Sequence, residues 1–319
     1  KAQTPEDWKN VGLALADAAG KAPDVVAKGI QGLADKLPEG LAKTILTDEN
    51  VAKELAKASP EAIKAMLNGD AAAALSAVGG NKPLRDAVID AAVTDPSVKP
   101  LLEKYGITAT DLKEAADAAG PLFNAVKYAS EGKITEALSE FQKVGDAAPT
   151  LLPKVAKAIY EKLPEATQQK LQDLGYGMEN IGEVAKALPS LVKAGEAMVK
   201  GDWKTAISEV LNAGEAAPAV GKEAIQKLAQ QIPDGKFDLA KKLLADDKVA
   251  SGLASDTALH DAIDKLLDGK TLEGASELLH NDGMRDAVLD VVSQDPKVVE
   301  ALGKVGLTAE DLKQAGAAS

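Results

Sequence analysis

Arg85-Asp86-Ala87-Val88-Ile89-Asp90 returns later in the chain as Arg285-Asp286-Ala287-Val288-Leu289-Asp290, an offset of 200 residues (285 − 85). The match runs on without a gap. Asp95-Pro96 returns as Asp295-Pro296, Gly106-Ile107-Thr108-Ala109 as Gly306-Leu307-Thr308-Ala309, and Asp111-Leu112-Lys113 as Asp311-Leu312-Lys313, so that about half the positions from 81 to 117 are identical. Composition alone does not produce such a register. Repetition of this kind reports how a chain is built, because each copy buries a face against its neighbour.

A second motif occurs three times. Gly201-Asp202-Trp203 leads through Ala206, Ile207 and Ala213 to Ala216-Ala217-Pro218. Gly132, Ile134, Ala137 and Leu138 lead to Ala147-Ala148-Pro149 at an offset of 69 (201 − 132), and Asp7-Trp8-Lys9 leads to Ala22-Pro23 at an offset of 195 (203 − 8). Each copy is followed by an Ala/Lys segment closing on Leu37-Pro38-Glu39-Gly40, Leu163-Pro164-Glu165 or Ile232-Pro233-Asp234-Gly235. With this motif named A and the Arg-Asp-Ala-Val motif named B, the chain divides into a partial A repeat (1–40), B (41–120), A (121–189), A (190–235) and B (236–319). Lys1 falls opposite Glu196, inside a helix that precedes the Gly turn in later copies. The chain is therefore expected to begin within a repeat of a longer array.

The local signals are helical. Leu84, Val88, Ile89 and Ala92, with Met284, Val288, Leu289 and Val292, recur at helical spacing and give each copy one apolar stripe. Asp95-Pro96 and Asp295-Pro296 read as an N-cap followed by proline in the first turn. Thr108 with Asp111, and Thr308 with Asp311, read as capping boxes that use Asp in place of Glu. No stretch alternates with the period of two that a strand requires. The expected fold is all-α, an internally duplicated array of short helical hairpins, α-solenoid-like or an elongated helical repeat stack.

The A motif resembles the second helix of a tetratricopeptide-type hairpin. Gly201-Asp202-Trp203, Ala206, Ile207, Ala213 and Pro218 carry the resemblance, and Gly132, Ala137 and Pro149 repeat part of it. It covers the segments around 121–163 and 190–232 and part of 1–37. It implies helix-turn-helix hairpins in which small residues allow close approach; 34-residue units do not follow one another.

The chain has 319 residues, 45% of them hydrophobic and only 3% aromatic, so its core must be built from Ala and aliphatic side chains. A net charge of −12 opposes phosphate backbones and anionic headgroups, and no nucleic acid partner is expected. Cysteine is absent, which removes disulfides, thiolate metal sites and a thiol nucleophile. No apolar run reaches the ~18 residues of a membrane span, so no stable membrane insertion is expected.

Chemistry-bearing residues each have a structural explanation. His260 and His280 stand opposite Pro60 and Gly80, so a histidine site would belong to one copy alone. Trp8 and Trp203 occupy equivalent positions and are expected to pack at the hairpin corner. Arg85/Asp86 and Arg285/Asp286 are expected to form repeated buried ion pairs that fix helix register. Acidic neighbours such as Glu39, Asp48 and Glu49, or Asp246 and Asp247, arise readily among 49 acids. Nucleophile-elbow, phosphate-loop and dinucleotide motifs are absent, and Asp264–Gly269 lacks the alternating ligands of a calcium loop. No catalytic, cofactor or metal residue is assigned. The expected function is a non-enzymatic scaffold or protein-binding module, a segment of a larger bacterial secreted or surface protein such as an effector, toxin or exoprotein, with a protein partner. Secretion or the cell surface is favoured over the cytoplasm. The alternatives are a membrane-active or lipid-carrying helical protein and a carboxylate-dependent enzyme without a local motif.

Overall fold

The computed structural model describes residues 4–18, 22–37, 41–47, 49–58, 60–68, 70–78, 81–94, 99–115, 118–145, 147–235, 237–304, 306–308, 310–311 and 314, and every regular element among them is helical. The chain forms two compact units, Lys1–Lys162 and Leu163–Ser319. The first holds α1 (Pro5–Ala18), α2 (Pro23–Ala34), α3 (Leu41–Leu46), α4 (Glu49–Ala58), α5 (Pro60–Leu67), α6 (Ala71–Val78), α7 (Lys82–Ala92), α8 (Lys99–Lys104), α9 (Ala109–Ala115), α10 (Ala119–Ser130), α11 (Ile134–Val144) and α12 (Leu152–Glu161). The second holds α13 (Glu165–Asp173), α14 (Leu188–Lys200), α15 (Trp203–Ala216), α16 (Pro218–Gln231), α17 (Asp238–Ala245), α18 (Asp247–Ser255), α19 (His260–Leu267), α20 (Thr271–Leu279), α21 (Arg285–Val292) and α22 (Pro296–Lys304). Among the described residues no helix is long and apolar enough to cross a membrane.

The duplication is more extensive than its two motifs. In the first unit α3 packs on α4, α5 and α7, and in the second α17 packs on α18, α19 and α21. The A hairpin is attached to each B segment in the same way: α1 contacts α2 and α5 as α15 contacts α16 and α19, while α2 contacts α3 and α4 as α16 contacts α17 and α18. One A–B assembly is therefore built twice. The register explains why the sequence shows it in pieces. The offset is 195 up to Gly235, becomes 198 at Leu239-Ala240-Lys241 opposite Leu41-Ala42-Lys43 (239 − 41), and reaches 200 at Leu259. In the sequence the additional residues fall about the starts of α17 and α19.

Local chemistry sets the helix ends. Thr108 N–H donates to Asp111 Oδ2 at 2.7 Å while Asp111 N–H donates to Thr108 Oγ1 at 3.2 Å, and the Thr308/Asp311 pair repeats this at 2.8 and 3.1 Å. Both expected capping boxes are present, and Thr4 with Asp7 forms a third. Asp295 caps α22 by accepting from Val298 N–H at 3.3 Å; its counterpart Asp95-Pro96 lies outside the described residues, as do Glu39 and Asp48. Gly132 and Gly201 take positive φ, 75° and 73°, which swings the chain from α10 into α11 and from α14 into α15.

The core is aliphatic. Ile63, Leu55, Val88 and Ile89 in the first unit and Ile263, Leu253 and Val288 in the second are fully buried, each worth about 1.5–3 kcal/mol relative to exposure. Helices approach closely where a side chain is missing. A Cβ on Gly221 of α16 would overlap the Gly214 Cα of α15 and lie 3.3 Å from Ala254 Cβ of α18. A Cβ on Gly274 of α20 would lie 2.5 Å from the Ala262 carbonyl oxygen of α19, and one on Gly252 would strike the Met284 side chain. In the first copy the matching positions are Ala74, fully buried, and exposed Glu54 with buried Leu84.

Candidate functional site

The second unit contains a cleft of about 350 Å³ lined by Phe237, Asp238, Lys242, Leu266–Gly269, Thr271, Asp295 and Pro296. Its size is that of a small-molecule site. It forms where Phe237 and Asp238 lead into α17, beside the end of α19 and the start of α22. The register slip from 195 to 198 is the sequence signal that locates it, and the motif comparison alone passes over it.

Three acids of the cleft are held by bonds within the unit. Asp238 Oδ1 accepts from Gly235 N–H at 2.6 Å, Asp268 pairs with Lys204 of α15 at 2.6 Å, and Asp295 caps α22. Nearby Asp264, half-buried in α19, has its carboxyl pushed above the ordinary aspartate range, first by burial and then by the like charges of Asp261 and Asp268, against the opposing pull of Lys204 and His260. A raised carboxyl is what a general acid needs, but Asp264 does not line the cleft. Among the described residues no group of three or more histidine or acidic side chains gathers as a metal site.

The residues singled out in the sequence do not converge. His260 Nε2 donates to the Leu253 carbonyl at 3.0 Å, and His280 Nδ1 to the Ser276 carbonyl at 2.7 Å, so each ring closes the last turn of a helix, α18 or α20. Trp8, Trp203 and Ile134 are all half-buried, which agrees with a shared corner position, although neither indole is enclosed.

The expected repeated Arg–Asp pair is corrected by the structure. Arg85 is buried, but its Nε lies 3.9 Å from Asp86 Oδ1, and Asp86 takes its short contact from Lys82 at 2.7 Å. That bond from Lys82 holds the Asp86 carboxyl below its ordinary range. In the second copy Asp286 is exposed; Arg285 pairs with Asp282 and donates from Nε to the Leu279 carbonyl at 3.1 Å. The reason is the residue three positions before the arginine, Lys82 in one copy and Asp282 in the other. A change of charge there reassigns the partners of both residues that follow.

Comparison with family models, with curated proteins and with solved structures finds no match for this chain. The hairpins that the A motif implied are present, α11 against α10 and α12 and α15 against α14 and α16, and they stand on their own packing.

Proposed function

We propose that the chain is a non-enzymatic helical-repeat scaffold, a module of a larger secreted or surface protein that holds a protein partner on the exposed faces of its hairpins. The observation that carries the reading is the contrast between frame and surface. The two A–B assemblies keep the same helix partnerships, while a polar residue between them is exchanged, Lys82 for Asp282, and the ion pairs made around the unchanged Arg and Asp change with it. Packing is what the copies share, and repeat stacks present extended surfaces for binding without a specialised cleft. The polar groups best placed for chemistry are engaged in caps and turns, which agrees with a structural role.

The test combines crosslinking with turnover. The purified chain carrying a photoreactive residue on an exposed hairpin position is expected to crosslink to one discrete protein, and the crosslink is expected to be displaced by unlabelled chain. Turnover of a small-molecule substrate that disappears in Asp264→Asn would overturn the scaffold reading in favour of a carboxylate enzyme.

A further inference from the structure

The contact between the first B segment and the A segment after it supplies a template. Along α12 and its N-cap residue, Leu151, Lys154, Ala158 and Glu161 lie on one face at helical spacing. Lys154 pairs with Asp111 of α9 and Glu161 with Lys104 at the end of α8, each at 2.6 Å, and Leu151 and Ala158 are buried. The intervening Ile107 is 4% exposed. In this junction a lysine and an acid seven residues apart on a helix meet an acid and a lysine seven residues apart on the B segment.

Both halves of that junction recur, exposed, elsewhere in the chain. By the offsets of 195 and 69, the α12 face corresponds on α2 and its C-cap residue to Val25, Lys28, Gly32 and Asp35. All four are exposed, Val25 at 69% where Leu151 is at 2%, and an added Cβ at Gly32 would meet nothing within 4 Å. The second B segment presents Lys304, Leu307 and Asp311, the counterparts of Lys104, Ile107 and Asp111. Leu307 is 49% exposed, Asp311 among the described residues bonds to its own capping partner Thr308, and Lys304 rests on Glu300 of α22 at 2.8 Å. The third A segment is the control. At the positions of Lys154 and Glu161 it carries Glu223 and Gln230, and it follows another A segment. The Lys/acid signature thus marks the A segment that follows a B segment in the chain, and α2 carries it as well.

We infer that the α2 face Val25/Lys28/Gly32/Asp35 of one copy of this chain docks on the Lys304/Leu307/Asp311 end of a second copy, pairing Lys28 with Asp311 and Asp35 with Lys304. The contact is head to tail: each copy offers both surfaces, and association continues with concentration. It stands independently of any partner for the scaffold.

Sedimentation velocity over a wide concentration range at low salt tests this. The full chain is expected to gain mass with concentration and to lose that gain as salt rises. Asp35→Lys and Lys304→Asp should each weaken association about tenfold or more, since like charges then face each other, and the double variant should recover it. Gly32→Gln leaves the monomer room for the new side chain and should block association while circular dichroism stays native. A chain that remains monomeric at every concentration, or association that ignores both the charge swap and Gly32→Gln, overturns the inference.

Discussion

Gly221→Ala tests the closest helix crossing. The added methyl would overlap the Gly214 Cα and press on Ala254 Cβ. Because the first obstacle is backbone, no rotamer change relieves it, and α15 and α16 must separate. Overpacking costs about 1–3 kcal/mol, and a backbone obstacle places this site near 3. Replacing a helical glycine by alanine returns about 1 kcal/mol. The net expectation is a loss of about 2 kcal/mol, or about 4–8 °C in the midpoint of a unit this size. Denaturant unfolding should be read from the second unit alone. The chain has two tryptophans, Trp8 and Trp203, so a Trp8→Phe background leaves Trp203 of α15 as the only indole, placed on one of the crossing helices. Equal or greater stability in Gly221→Ala would show that the crossing has room and that the close approach is not what holds these helices.

Gly32→Ala is the complementary change: with open space around it, it should stabilise the first unit by about 0.5–1 kcal/mol in the same unfolding experiment. Arg85→Ala should cost about 3 kcal/mol because it empties a buried position beside Asp86, whereas Arg285→Ala, beside an exposed Asp282, should cost no more than about 1 kcal/mol; the reverse order would refute the assignment of partners. Trp203→Ala should lose less than the ~3–5 kcal/mol of an enclosed aromatic, and native Trp203 emission should lie between buried and free indole. Asp264→Asn should stabilise the second unit at neutral pH. Its folded carboxyl titrates above the unfolded value, so ionisation opposes folding as pH rises past about 4, and the advantage should vanish below that. Asp111 runs the other way: although burial raises its carboxyl, the bonds from Lys154 and Thr108 hold it below the ordinary range. Its contribution is present above about pH 4 and lost as pH falls through the lower folded value, which Asp111→Asn should abolish in an acid-unfolding profile.

The sequence is legible where the information is local or periodic. Helical stripes, capping boxes and Gly turns are read from neighbouring residues, and the structure has them at Thr108, Thr308, Gly132 and Gly201. What is not legible is anything decided between helices. The partner of Arg285 depends on whether residue 282 is acidic or basic and on which carbonyl comes near, so identity of the Arg-Asp pair in both copies pointed to a repeated contact that only the first copy makes, and there at 3.9 Å. The union of A and B into one duplicated assembly is hidden by two short insertions that shift the register. The cleft beside α17 is not legible either, since its lining joins Phe237 and Asp238, which have no counterpart in the first copy, to residues of α19 and α22 far off in sequence.

Two copies of one assembly within a single chain create a hazard during folding, because a helix of one could settle in the matching place of the other. The missing side chains described above guard against it. If α6 took the place of α20, Ala74 would set its methyl where Gly274 leaves space beside the Ala262 carbonyl. If α4 took the place of α18, Glu54 would stand where Gly252 makes room for Met284, and a carboxylate would be driven into the thioether. Exchanged pairings therefore clash or bury a charge while the native ones do not. Divergence at these three pairs of positions thus keeps each half of the polypeptide faithful to itself, and changing Gly274 to alanine and Gly252 to glutamate would be expected to slow refolding by removing the native pairing's advantage over the wrong assortments.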